Sequence, residues 1–190
     1  KQSQSKDMTS VSEVAVIVDS DMMNSMPAGS KESNTVYLIR RQLGLMGTPY
    51  DCYLASDFDT IKDKYKAFIL LCPVMTEKNE KILSENKNVF AINVENRELE
   101  PSVLREFCRS LGVHIYCEKD AVIFVNKSYF FVHSTSEGVY NINMPGGKKL
   151  KQIFGSDVNH ILNVLRMKTG EELLLSDGEG CDYHCRIAAF

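Results

Sequence analysis

Val14 to Val18 is an unbroken apolar run rich in β-branched residues, the pattern of a strand buried on both faces of a parallel sheet. Asp19, Ser20 and Asp21 end it and call for a turn. Pro27, Gly29 and several serines then mark Asn24 to Asn34 as a loop, with Asn34 placed to cap a helix. Val36, Ile39, Leu43 and Met46 recur at steps of three and four, which predicts a helix with one apolar stripe that Gly47 and Pro49 terminate. The unit repeats. Tyr50 to Leu54 is a second strand and Ala67 to Cys72 a third, broken by Pro73, after which Thr76 can cap a helix running to about Leu83. Asn88 to Val94 is a fourth strand. Pro101 opens a helix at its first position, with Leu104, Phe107, Cys108 and Leu111 facing inward and Gly112 as its stop. Strands alternating with helices argue for a doubly wound α/β sheet with right-handed crossovers.

Beyond Gly112 the rhythm shortens. His114 to Cys117, Ala121 to Val125, Tyr129 to His133 and Val139 to Met144 follow one another across hairpin-length turns, which predicts an antiparallel edge or flap added to the sheet. A third rhythm starts near Gly155. Asp157 can cap a short helix with Val158, Ile161, Leu162 and Leu165 on its apolar face. Glu172 to Ser176 then forms a strand that turns at Asp177-Gly178-Glu179-Gly180 into Tyr183 to Ala188. This tail is too short to bury a core by itself. The chain therefore divides into a polar start at 1–12, expected to be disordered, an α/β domain at 13–154 and a β-rich segment at 155–190.

Charge changes the picture little. Of 22 basic and 25 acidic side chains, 3 and 6 fall in residues 156–190, so the larger part is balanced and the net −3 belongs to the tail. No basic face announces nucleic acid in the composition. No apolar run approaches the roughly 20 residues that span a bilayer, so no membrane partner is expected. The polar start lacks the apolar core of a secretion signal. The six cysteines are scattered, mostly in apolar stretches, which favours reduced thiols and a cytoplasmic setting.

Candidate chemistry is sparse. Open α/β sheets place ligands beyond the carboxyl ends of their strands, where Asp19, Asp21 and Cys72 stand. Cys72 has Leu71 and Pro73 as neighbours, and a proline there removes the N–H that would donate to an oxyanion. It reads as a core cysteine, and no catalytic residue is assigned. Asp19 and Asp21 read as caps or turn formers, and no Gly-rich phosphate loop follows Val18. His114 and His133 read as structural residues of apolar strands. Cys181, His184 and Cys185 offer three zinc ligands without a fourth, so they read as strand residues and no metal site is assigned. No cofactor is called for.

Two resemblances follow from longer motifs. The strand Val14 to Asp19, the phrase Met46-Gly47-Thr48-Pro49-Tyr50-Asp51, Tyr65 to Leu71, Leu111 to Tyr116, Tyr129 to His133 and Asn141-Ile142-Asn143-Met144-Pro145 together resemble the glutamine-amidotransferase-like domain of glycoside hydrolase family 42 β-galactosidases. That resemblance, covering about residues 12–154, implies a flavodoxin-like fold of the class I glutamine amidotransferase type. It also implies an inactive nucleophile position and a role in association, either as a homotrimer or against a catalytic barrel domain. The second is carried by Gly155-Ser156-Asp157-Val158-Asn159-His160-Ile161, Val164 to Glu172 and Ser176-Asp177-Gly178. These resemble the amino-terminal PUA-like domain of SPOUT methyltransferases that modify N3 of a uridine in small-subunit ribosomal RNA. It implies ribosomal RNA as partner, with His160, Arg166 and Lys168 the matching polar positions able to meet phosphates or bases. The family's S-adenosylmethionine domain has no counterpart in these 190 residues, so this chain alone is not expected to transfer methyl groups. By length, the association role leads and RNA modification is the alternative.

Overall fold

Four strands, β1 (Val14–Val18), β2 (Tyr50–Leu54), β3 (Ala67–Leu71) and β4 (Val89–Ile92), pair in parallel in the order β2-β1-β3-β4. The architecture comes from a computed structural model that describes residues 7–127, 130–136, 140–147, 163–168, 170–176 and 182–186. In the central ladder Val16 lies level with Cys52 on one side and Ile69 on the other. Side chains alternate across a strand, so a strand covered on both faces has no polar position to spare. Every residue of β3 is accordingly buried.

The two faces have separate cores. Val14, Val16, Ile69 and Leu71 pack with Ile39 and Leu43 of α2 (Lys31–Gly44) and with Leu104 and Cys108 of α5 (Pro101–Ser110). Ala15, Ile17, Phe68 and Leu70 pack with Phe58 and Ile61 of α3 (Phe58–Ile61), and Ile82 and Leu83 of α4 (Glu77–Glu85) close over them. The Phe58 and Phe68 rings meet edge to face at 5.1 Å, a contact that adds about 1 kcal/mol to their burial.

The helix starts show where local chemistry overrode the sequence reading. Asp19 is a cap, accepting from the Met22 N–H at 3.2 Å, and opens a short helix, α1 (Ser20–Ser25), where a turn and loop were expected. Ser30, not Asn34, caps α2. Its hydroxyl accepts from the Ser33 N–H at 3.1 Å, and Asn34 lies inside the helix. Thr76 caps α4 and Pro101 opens α5, as their sequence positions predict.

The hairpin is not an extension of the parallel sheet. β5 (Ala121–Val125) and β6 (Phe130–Ser134) form their own antiparallel pair, a two-stranded sheet. Its inner face, Ala121 and Ile123, packs on Tyr116 and Cys117 with Val132 and Ile142. The expected strand at His114 to Cys117 is a buried connection instead. The Tyr116 and Cys117 N–H groups both donate to the Gly47 carbonyl, at 2.9 and 3.2 Å, and Cys117 makes only an isolated bridge to Ile142. That bridge is all the pairing seen in the expected strand Val139 to Met144, of which Val139 lies outside the described residues.

Gly47 makes this junction feasible. Its φ is +81° and a Cβ there would sit 2.1 Å from the Cys117 carbonyl oxygen. Arg105 closes the junction from α5. Its guanidinium donates to the Leu45 and Met46 carbonyls at 2.8 and 3.3 Å and pairs with Asp120 at 2.8 Å.

Of the polar start, residues 1–6 lie outside the described residues. The rest is tied down where disorder was expected. Ser10 bridges Asn126 and donates its hydroxyl to Asp51, and the Lys127 N–H donates to the Thr9 carbonyl. In the tail, β7 (Glu172–Ser176) and β8 (Asp182–Arg186) pair antiparallel from Glu172 opposite Arg186 to Ser176 opposite Asp182. The turn expected at 177–180 lies outside the described residues.

Candidate functional site

Two places could carry function: the carboxyl end of the parallel sheet and the tail. At the first, β1 and β3 are neighbours whose connections leave in opposite directions, the position where open α/β sheets hold ligands. Here the chain fills that position itself. The Asp19 N–H donates to the Leu71 carbonyl at 3.1 Å, and its carboxylate accepts from both Met22 and the Asn79 amide, the latter at 2.7 Å. Asn79 is fully buried on α4, and its Oδ1 has no protein partner.

Cys72 follows directly on β3 and is buried. Its N–H is already committed to the Ile92 carbonyl at 3.0 Å, and Pro73 has none. Burial, and then the Asp19 charge, push its thiol up to about 11, away from the thiolate that a nucleophile needs. No imidazole assists it among the described side chains. His114 is at the opposite end of the sheet, where its N–H donates to Glu13 just before β1 and its ring Nε2 meets the Asn143 carbonyl at 2.8 Å. His133 is exposed on β6, not set in an apolar interior. Glu13 is itself committed: burial would raise its carboxyl, but the Lys66 ammonium and the His114 N–H together hold it below its ordinary value. These groups anchor the fold.

Among the described residues, no group of three or more His, Cys, Asp and Glu side chains could hold a metal ion. Cys181 lies outside them, and His184 and Cys185 belong to β8, level with Leu174 and Leu173. No described helix is long and apolar enough to cross a membrane.

In the tail the structure places two of the three expected RNA-contacting residues. Arg166 is exposed, with φ at +53°, and Lys168 is exposed two residues on. A left-handed residue ends any helix before it. Leu165, expected on the apolar face of that helix, is exposed instead. Lys168 is fixed by its backbone: its N–H donates to the Glu171 carboxylate at 3.0 Å and its carbonyl accepts from the Glu171 N–H at 3.1 Å. That pair, with Gly170 at φ +92°, leads the chain into β7. His160, and with it Asp157, Val158, Ile161 and Leu162, lies outside the described residues.

Comparison with known proteins bears on the tail. Residues 155–189 match a family model described as an RNA methyltransferase PUA domain. No curated protein and no solved structure matches the chain significantly. The match supports the tail resemblance, and none of these findings supports the galactosidase-type resemblance of residues 12–154 or the trimer it implied.

Arg105 is the residue that the sequence reading passed over. It sits at the i+4 step from Pro101 in the buried stripe with Leu104 and Cys108, and a charge inside an apolar stripe is the signal that marks a buried anchor.

Proposed function

We propose that this chain contacts RNA through residues 155–190, acting as the RNA-binding part of a methyltransferase that modifies a uridine of small-subunit ribosomal RNA. The match of residues 155–189 to an RNA methyltransferase PUA domain carries this reading. In it His160, Arg166 and Lys168 meet phosphates or base edges, the guanidinium being suited to paired hydrogen bonds with phosphate oxygens. The α/β lobe is a flavodoxin-like scaffold, since β2-β1-β3-β4 reproduces the first four positions of the doubly wound order 2-1-3-4-5. Its buried thiol and self-occupied strand ends suit a scaffold rather than a reagent.

Filter binding with a small-subunit rRNA fragment tests the proposal. The wild-type chain is expected to retain the fragment at low salt, and Arg166→Ala is expected to weaken retention by about fivefold to tenfold. Equal retention by both proteins would contradict the assignment of Arg166.

A further inference from the structure

One face of α2 is left to solvent. Tyr37, Arg40, Arg41 and Gly44 recur at the steps of three and four that align side chains on one side of a helix, opposite the buried Thr35, Ile39 and Leu43. Tyr37 is 75% exposed, and the Arg40 guanidinium lies 5.5 Å from its ring centre. The stripe ends at Gly44, which lies beside the hairpin. A Cβ on Gly44 would touch Val122 Cγ2 at 3.8 Å. Val122 shares its face of β5 with Phe124, about 7 Å further along, and His133 and Phe131 stand opposite the two across the ladder.

Phe124 and Phe131 do not enter the core, which takes the other face of the hairpin. They are 62% and 43% exposed, with ring centres 6.1 Å apart. The helical stripe and the strand positions of this hairpin face carry no carboxylate, and Asp120, just before β5, is paired with Arg105 at 2.8 Å. Exposed rings with guanidinium groups on the same surface, and no unpaired carboxylate at the crossing between them, are what a single-stranded nucleic acid needs: bases stack on the rings while the backbone meets the cations.

We propose that the strip running from Tyr37 and Arg41 on α2 to the Phe124 and Phe131 pair on the hairpin is a second contact surface for single-stranded RNA. The choice of RNA rests on the reading of residues 155–190 given above; the surface itself rests on ring exposure and local charge. It extends the contact beyond the PUA-type tail to a strand of unpaired nucleotides.

Fluorescence anisotropy of a labelled oligouridine, titrated with the full chain, tests it. The double variant Phe124→Leu, Phe131→Leu keeps the apolar area and removes the rings, and its affinity is expected to fall about tenfold or more. Arg41→Gln removes no buried contact, and it is expected to lower the slope of log affinity against log salt by about one unit. Unchanged affinity in the leucine variant would overturn the proposal. So would a wild-type mass that rises with concentration and that the leucine variant keeps monomeric, since the face would then pair two copies of the chain. Arg166→Ala, measured in parallel, separates the two readings. Loss in the leucine variant alone upholds this surface and removes the tail assignment, whereas loss in Arg166→Ala alone overturns this surface and leaves the tail assignment standing.

Discussion

The carboxyl end of the parallel sheet and the outer face of the β5–β6 hairpin handle their side chains in opposite ways. At the sheet end Asp19 accepts from Met22 and Asn79, Cys72 gives its N–H to Ile92, and the thiol is held protonated by burial. On the hairpin one face joins a small core while the other holds Phe124, Phe131 and His133 toward water. The difference follows from layering. Helices on both sides of the parallel sheet cover both faces of its central strands β1 and β3, so only their ends could serve a ligand, and here they are closed by the protein itself. A two-stranded ribbon covered on one side keeps a free face. Contact chemistry is therefore expected at the periphery, on the outer faces of α2 and the hairpin and on the tail, and not at the closed ends of the parallel strands.

The strongest way to break the comparison is to break the junction between the two regions. Gly47→Ala would place a methyl against the Cys117 carbonyl in a left-handed conformation, and a loss on the order of 4 kcal/mol is expected in urea unfolding. A midpoint unchanged from wild type would show that the hairpin is not anchored there. Arg105→Met keeps an apolar stem but strands the Leu45 and Met46 carbonyls and Asp120. It should cost about 2 to 3 kcal/mol by the same measurement.

Smaller changes sharpen the contrast. Asn79→Ala removes the amide that Asp19 accepts from inside the sheet end, and about 1 to 2 kcal/mol is expected. The Cys72 thiol makes that end sensitive to alkali. Its folded pKa, about 11, lies above the ordinary value of 9.0. Stability is thus complete below about pH 9, and declines as the pH rises from there through about 11, because the unfolded chain ionises first. Urea midpoints at rising pH should fall less steeply in Cys72→Ala than in wild type; parallel curves would contradict the burial of that thiol. Arg166→Ala, at an exposed position, should shift stability by no more than about 0.5 kcal/mol.

The core was legible in the sequence, because unbroken apolar runs at Val14 and Ala67 can be buried on both sides only in a covered parallel sheet. The cap at Thr76 and the stop at Gly112 were legible for the same reason, each residue having one strong local preference. Asn34 misled because Ser30 competes for the same role three residues after Pro27, and nothing local ranks one cap above the other. His114 to Cys117 looked like a strand since an apolar extended segment has the same pattern whether its N–H groups bond a ladder or, as here, one glycine carbonyl. Asn79 was invisible: a polar residue in the first turn of a helix looks solvated until Asp19, sixty positions away, is known to face it. The tail motif was readable from residue types at fixed spacing, while the exposure of Leu165 depends on the left-handed turn at Arg166, which sequence does not announce.

The most direct test of peripheral RNA contact is the salt dependence of rRNA-fragment binding by the full chain, compared with Arg166→Ala and Lys168→Ala. Affinity that falls steeply with salt in the wild type, with a slope smaller by about one unit in each variant, is the predicted result. Absence of binding at low salt, or slopes identical in all three proteins, would contradict it.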